Sequence, residues 1–241
     1  MTRDSNPQAS DIVVARLARF GPLSDRDMDL VRSVPLAARE MESEQELARE
    51  GDKPAFCPLL VEGFACRHKI LGDGQRQIIA FHLPSDLCDV SGLTSTRLDH
   101  GTLTLTPARV IMIPYGAILD WMRRSPGLNW LLWRAVLVDT AVANEWIVNV
   151  GRRTAQRRTA HLFCEMIERL RRVGQAGDGP YVLPLTQVVL ADALGLTPVH
   201  VSRTLQWLRG ERLIEFSGGV LTVRDWRELK RTARFDPAYL H

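Results

Sequence analysis

Residues 185–223, LTQVVLADALGLTPVHVSRTLQWLRGERLIEFSGGVLTV, constrain this chain more than any other stretch. They predict a helix, a tight turn, a second helix and a short hairpin. Thr186 offers a capping hydroxyl to the first helix, and Leu190 and Leu194 lie four apart on one face. Ala191 is small enough for a second helix to cross closely, and Gly195 supplies the left-handed conformation that ends a helix. Thr197 and Pro198 start a second helix, a capping hydroxyl followed by proline at the first helical position. Val201, Leu205 and Leu208 form its inner face. Beyond it, 213–216 and 220–223 read as two strands around the turn Ser217-Gly218-Gly219.

A helix displayed in this way fits the major groove of DNA, with its N-terminal residues towards base edges. Val199, His200, Ser202, Arg203 and Gln206 lie on that outer face and are the expected base readers. Arg203 leads them, because a guanidinium pairs bidentately with guanine. Thr186, Gln187 and Thr197 stand at helix starts, where small polar groups hold phosphate. The competing reading is an ordinary helical hairpin in a larger core. The spacing of Ala191, Gly195 and Val201 and the glycine-turned hairpin weigh against it. So does charge: residues 151–241 hold 15 Lys+Arg against 9 Asp+Glu, whereas residues 1–150 hold 16 against 19. A basic module suits a phosphate backbone.

At 241 residues the chain is long enough for two modest domains. Its first residues, MTRDSNPQAS, are polar and resemble no signal peptide. The most apolar stretch, 128–150, carries Arg134, Asp139 and Glu145, so no membrane span is expected and the location expected is cytoplasmic. Cys57, Cys66, Cys88 and Cys164 are widely and irregularly spaced, which suggests reduced thiols. Cys66 and His68 would share a strand face and could join a metal site. Buried apolar cysteine is the commoner outcome, and no metal site is assigned.

Upstream, residues 12–20 and 24–33 read as short helices, the second capped by Ser24. Alternating runs then follow at 39–47, 58–70, 75–83 and 102–113, separated by turn residues, which suggests a small antiparallel barrel or roll. The helix expected at 128–150 is apolar on more than one face. Leu128, Leu132, Ala135, Val142 and Trp146 fall on an a/d-like repeat, with Asp139 interrupting it. Packing one side on the roll and these residues on a twin helix would give a homodimer; burial within one subunit is the other solution. The fold class expected is α+β: an N-terminal antiparallel β-roll with helices over 1–127, a dimerisation helix over 128–150 and a winged helix-turn-helix over 151–241.

That order of parts resembles the cyclic-AMP receptor protein and fumarate–nitrate regulator (Crp/Fnr) superfamily of bacterial transcription regulators. The residues that carry the resemblance are Gly151-Arg152-Arg153-Thr154-Ala155, Leu185-Thr186-Gln187, Leu190-Ala191-Asp192, Leu194-Gly195-Leu196-Thr197 and Val201-Ser202-Arg203-Thr204-Leu205. Arg49-Glu50-Gly51-Asp52 and Gly63-Phe64 look like its roll. The resemblance implies a cyclic-nucleotide-binding-like domain, a homodimer on palindromic double-stranded DNA, RNA polymerase as a further partner, and base contacts from Ser202 and Arg203. Val199 stands where the family usually has a glutamate, so the half-site should differ. Nucleotide-binding members carry a Gly-Glu pair and an Arg-Ser/Thr pair; the corresponding slots fall near Asp89-Val90 and Leu98-Asp99-His100. Arg97 is one position off and Asp99 would repel a phosphate. Asp89, Arg97 and His100 therefore mark an effector pocket that is not a standard cyclic-AMP site, and the effector and any cofactor stay unknown. No cysteine precedes Cys57, so the cysteine cluster of an iron–sulfur sensor is missing. A different class of function, a small-molecule-binding or protein-interaction module that reads no DNA, remains as the alternative. No nucleophile–base pair or glycine-rich phosphate loop points to an enzyme.

Overall fold

The structure, a computed structural model, describes residues 7–175, 177 and 179–240. Helix α1 (Pro7–Leu17) runs into a single 3₁₀ turn at Ala18–Phe20. Helix α2 (Asp25–Arg32) opens on a capping box, in which the Ser24 hydroxyl accepts from the Asp27 amide and the Asp27 carboxylate accepts from the Ser24 amide. Seven strands follow: β1 (Ala38–Met41), β2 (Glu46–Ala48), β3 (Phe56–Glu62), β4 (Ala65–Ile70), β5 (Arg76–His82), β6 (Gly101–Thr104) and β7 (Ala108–Pro114). They form a three-stranded sheet in the order β1-β7-β3 and a four-stranded sheet in the order β2-β6-β4-β5. β7 pairs antiparallel with both its neighbours, so that Ile111 faces Ala38 on one side and Leu59 on the other. The alternating runs at 39–47, 58–70 and 102–113 each hold two strands, divided at Glu44, Gly63 and Thr106-Pro107; Glu44 and Gly63 adopt positive φ.

Helix α3 (Tyr115–Arg124) and the 27-residue α4 (Pro126–Arg152) come next. Leu59, Ile111 and Ile113 of the sheet, Ile118 and Trp121 of α3, and Leu128, Leu131 and Leu132 of α4 share one core with α1 and α2. The Ser125 hydroxyl donates to Asp27 and accepts from the Leu128 amide, which starts α4 and ties it to α2.

Helix α5 (Ala155–Arg172), capped by Thr154, is the spine of the C-terminal part. It contacts α6 (Gln187–Leu194), α7 (Pro198–Gly210) and α8 (Trp226–Ala233). Strand β8 (Tyr181–Val182) pairs with β10 (Val220–Val223), which pairs with β9 (Ile214–Ser217) in the register Val220↔Ser217 and Leu221↔Phe216. A last 3₁₀ turn covers Pro237–Leu240. The chain divides into two units: 1–67 with 81–139, and 68–80 with 140–241. The tip of the β4–β5 hairpin thus belongs with the C-terminal unit.

Candidate nucleic-acid interface

Both helices of the reader start as their residues dictate. The Thr186 hydroxyl accepts from the Val189 amide at 3.1 Å, and the Thr197 hydroxyl accepts from the His200 amide at 3.2 Å. Each satisfies one orphan donor of a first turn and keeps its own O–H free to donate. Gly195 closes α6 at φ +60°, where any side chain would be strained. Leu190, Leu194, Val201, Leu205 and Leu208 are buried, and this fixes the rotation of α7.

The opposite face of α7 is open. Val199 is 61 % exposed, and His200, Arg203 and Gln206 are exposed with it; Ser202 is half-buried. A cavity of about 360 Å³ is lined by Thr197, Val199, His200, Arg203 and Thr204, together with Gln156 from the first turn of α5. The structure therefore brings Thr197, Val199, His200 and Arg203 to one hollow. Ser202, Gln206, Thr186 and Gln187 lie outside its lining. Gln156 escaped the sequence reading; its signal was its place two residues after the Thr154 cap. The β9–β10 turn is a tight hairpin, with Gly218 at φ +58° and Gly219 at φ +75°, the pair of positive angles that a two-residue turn of matching twist requires.

In the N-terminal unit, Asp89 is buried and accepts from the Ser91 hydroxyl at 2.5 Å and the Gly92 amide at 3.2 Å. The Asp89 carbonyl accepts from the Tyr115 hydroxyl at 2.7 Å, and a methyl group on Gly92 would overlap that hydroxyl. His100 is also buried, with Nε2 3.8 Å from the Asp89 carboxylate and Nδ1 2.8 Å from Asp99. Arg97 is exposed and donates to the Gly51 carbonyl at 3.3 Å. Asp89 and His100 thus come together, while the guanidinium of Arg97 is engaged elsewhere. All four cysteines are buried and none is in a disulfide, and burial pushes the thiols of Cys57, Cys88 and Cys164 up, away from reactivity. Among the described residues no group of three or more His, Cys, Asp or Glu is placed to hold a metal ion, and no helix is long and apolar enough to cross a membrane.

The long helix buries most of the residues expected on its seam. Leu128, Leu132, Ala135 and Trp146 are buried within the single chain, and Val142 is half-buried. Leu128 and Leu132 belong to the N-terminal core. Trp146 donates its indole N–H to both oxygens of Glu165 at 3.1 Å. Leu128, Leu132, Ala135 and Trp146 thus leave little surface for a twin helix, while Val142 stays partly open. The open apolar face is rotated from them: Trp130 (63 % exposed), Trp133 (53 %), Leu137 (58 %) and Ile147 (67 %). With Thr140, Asn144 and Gly151 these continue an alternating three–four spacing.

A β-roll, a long helix and a winged helix-turn-helix in one chain define a DNA-binding transcription regulator. Two family models match: a cyclic nucleotide-binding domain over residues 38–125 and a Crp-like helix-turn-helix domain over residues 157–232. The transcriptional activator protein FnrL of Cereibacter sphaeroides is 28 % identical over 75 % of this chain and 73 % of its own. The fumarate and nitrate reduction regulatory protein of Vibrio cholerae is 24 % identical over 92 % of this chain and 89 % of its own. The structure of FixK2 from Bradyrhizobium japonicum superposes with a TM-score of 0.75 at 26 % identity, covering 83 % of this chain and 98 % of that one. The chain belongs to the Crp/Fnr family of transcription regulators.

Proposed function

We propose that two copies of this chain pair along the exposed face of α4 and read a palindromic DNA site through two α7 helices. The observation that carries this reading is the open hollow at the head of α7, where Val199, His200 and Arg203 stand exposed on a helix whose other face is buried. An exposed, alternating three–four stripe with two tryptophans supports the pairing, because apolar side chains on such a seam are stable only when a partner covers them. Two-fold pairing would set the recognition helices one turn of DNA apart.

In this reading Arg203 and Ser202 contact bases, with Val199, His200 and Gln206 beside them, and Thr186, Gln187 and Thr197 hold phosphates. Residues 1–127 act as the sensor, 128–150 join the protomers and 151–241 bind DNA. The protein acts in the cytoplasm, works with RNA polymerase and catalyses no reaction. A ligand reaching Asp89 and His100 would meet a carboxylate and an imidazole, so a cyclic phosphate is a poor candidate for the effector. Selection of bound duplexes from a random library, with and without cell extract, tests the proposal. A two-fold-symmetric consensus is expected. Recovery of sequences with no common motif, or binding that ignores salt, would favour a module that reads no DNA.

A further inference from the structure

Helix α6 has only eight residues and cannot hold itself in water, so what fixes its ends matters. Its N-terminus is closed by Thr186. At its C-terminus the last carbonyls have no partners within the helix. Two of them are taken by side chains from elsewhere: the Leu194 carbonyl accepts from Arg158, and the Ala193 carbonyl accepts from Gln77 Nε2 at 3.3 Å. Beside them, Arg76 Nε donates to the Asp192 carboxylate at 2.8 Å, with both side chains one-fifth exposed. Arg158 sits on α5 next to α6. Arg76 and Gln77 come from 116 residues upstream, at the start of β5.

The hairpin carrying Arg76 and Gln77 is firmly built. The Leu71 amide donates to the Gln75 carbonyl at 2.8 Å, the Gly74 amide donates to the Leu71 carbonyl at 2.9 Å, and Ile78 behind them is fully buried. A cation at the C-terminal end of a helix is also favoured by the helix dipole. We infer that Arg76 and Gln77 are positioning residues for DNA reading. They hold the C-terminal end of α6, and through it the Gly195 turn that sets α7 in the groove. Arg76 reaches α6 at the end opposite Thr186 and Gln187 and acts through Asp192, without touching DNA. This inference rests on the reading that α7 enters the groove.

The test uses the full-length dimer and a duplex carrying the selected half-sites, beside a scrambled duplex. Arg76→Gln and Asp192→Asn should each weaken binding to the selected duplex roughly three- to tenfold, the range of an ordinary hydrogen bond, because solvent partly screens this pair. Affinity for the scrambled duplex should not change. Arg76→Asp combined with Asp192→Arg should recover most of the loss, which general damage to the fold would not allow. The slope of log affinity against log salt should also be unchanged, whereas loss of a phosphate contact lowers it by about 0.9. Single variants within twofold of wild type, tighter binding by either, a swap that binds no better than Arg76→Gln or Asp192→Asn alone, or a reduced salt slope would each overturn the assignment. Arg203→Ala, measured in parallel, separates the two readings. A wild type that ignores sequence takes down the reading of α7 and this inference together; a discriminating wild type with an indifferent Arg76 takes down this inference alone.

Discussion

Arg203 stands exposed in the hollow that it shares with Val199, His200 and Gln156, on a helix whose rotation is fixed by buried Val201, Leu205 and Leu208. We predict that Arg203→Ala costs about 1–3 kcal/mol at one base pair of each half-site and leaves discrimination at the others intact. Affinities for single-base variants of the operator would show this, and uniform weakening over all of them would instead make Arg203 a phosphate contact. A second residue-scale prediction concerns His161. It lies buried between Phe235, with ring centroids 5.2 Å apart, and Tyr239, at 6.0 Å. Burial, with the charge of Arg153, pushes its pKa down to about 3 from 6.5, although Nε2 lies 3.3 Å from the Glu145 carboxylate, whose charge Arg153 offsets. A group whose folded pKa lies below its unfolded value contributes stability that is present above the unfolded pKa and lost as pH falls towards the folded one. Its contribution should therefore decline below about pH 6.5, by up to roughly 1.4 kcal/mol per pH unit. Glu165 opposes this trend: burial raises its pKa despite Arg169 and the hydrogen bonds from Trp146 and Tyr239. The check is thus a difference. Between pH 6.5 and 5, unfolding free energies of His161→Gln should fall less steeply than those of wild type, and parallel slopes would refute the role given to His161.

At the scale of elements, α4 separates two kinds of apolar position that spacing alone does not distinguish. Leu132 is buried in its own chain, so Leu132→Ala should cost about 2–5 kcal/mol of stability by leaving a cavity. Leu137, more than half exposed, has far less packing in its own chain to lose. Leu137→Glu should give monomers in sedimentation with native far-UV circular dichroism, and a variant that remains dimeric would move the seam elsewhere. Leu128, Leu132 and Ala135 and the stripe Trp130, Trp133 and Leu137 both carry helical periodicity. Which of them faces the core depends on where the sheet and α1 lie, and this is non-local information. The helix-turn-helix was legible for the opposite reason: Thr186, Gly195, Thr197 and Pro198 are local signals, and each sits where its backbone requires it. Helices α3, α5 and α8 went unread although Thr154 and Asp225 cap two of them. Arginine-rich stretches such as 152–158 read as surface, and only the packing of Leu162, Phe163, Met166 and Ile167 shows α5 to be the spine of its unit. Gln156 is legible as part of the site only once that helix is in place.

For the whole molecule, a legible output stands beside an expected effector pocket of different chemistry. A ligand shifts a regulator between states only by the difference in its affinity for them. A cyclic phosphate needs buried cationic or N–H donors, and the positions that the resemblance assigns to them hold other chemistry. Asp89 is a buried carboxylate whose hydrogen bonds come from Ser91 and Gly92, His100 lies between two carboxylates, and Arg97 is turned to the Gly51 carbonyl at the surface. Placing a second negative charge beside buried Asp89 would cost more than one exposed arginine returns, since like charges out of water repel strongly. Cyclic AMP should therefore bind too weakly to favour either state. We predict that millimolar cyclic AMP changes the affinity for the selected operator by less than twofold. Fluorescence anisotropy of labelled duplex, titrated with protein in its presence and absence, measures this directly. A tenfold change would mean that one state gains about 1.4 kcal/mol over the other from the nucleotide, and that Arg97 leaves Gly51 to hold the phosphate.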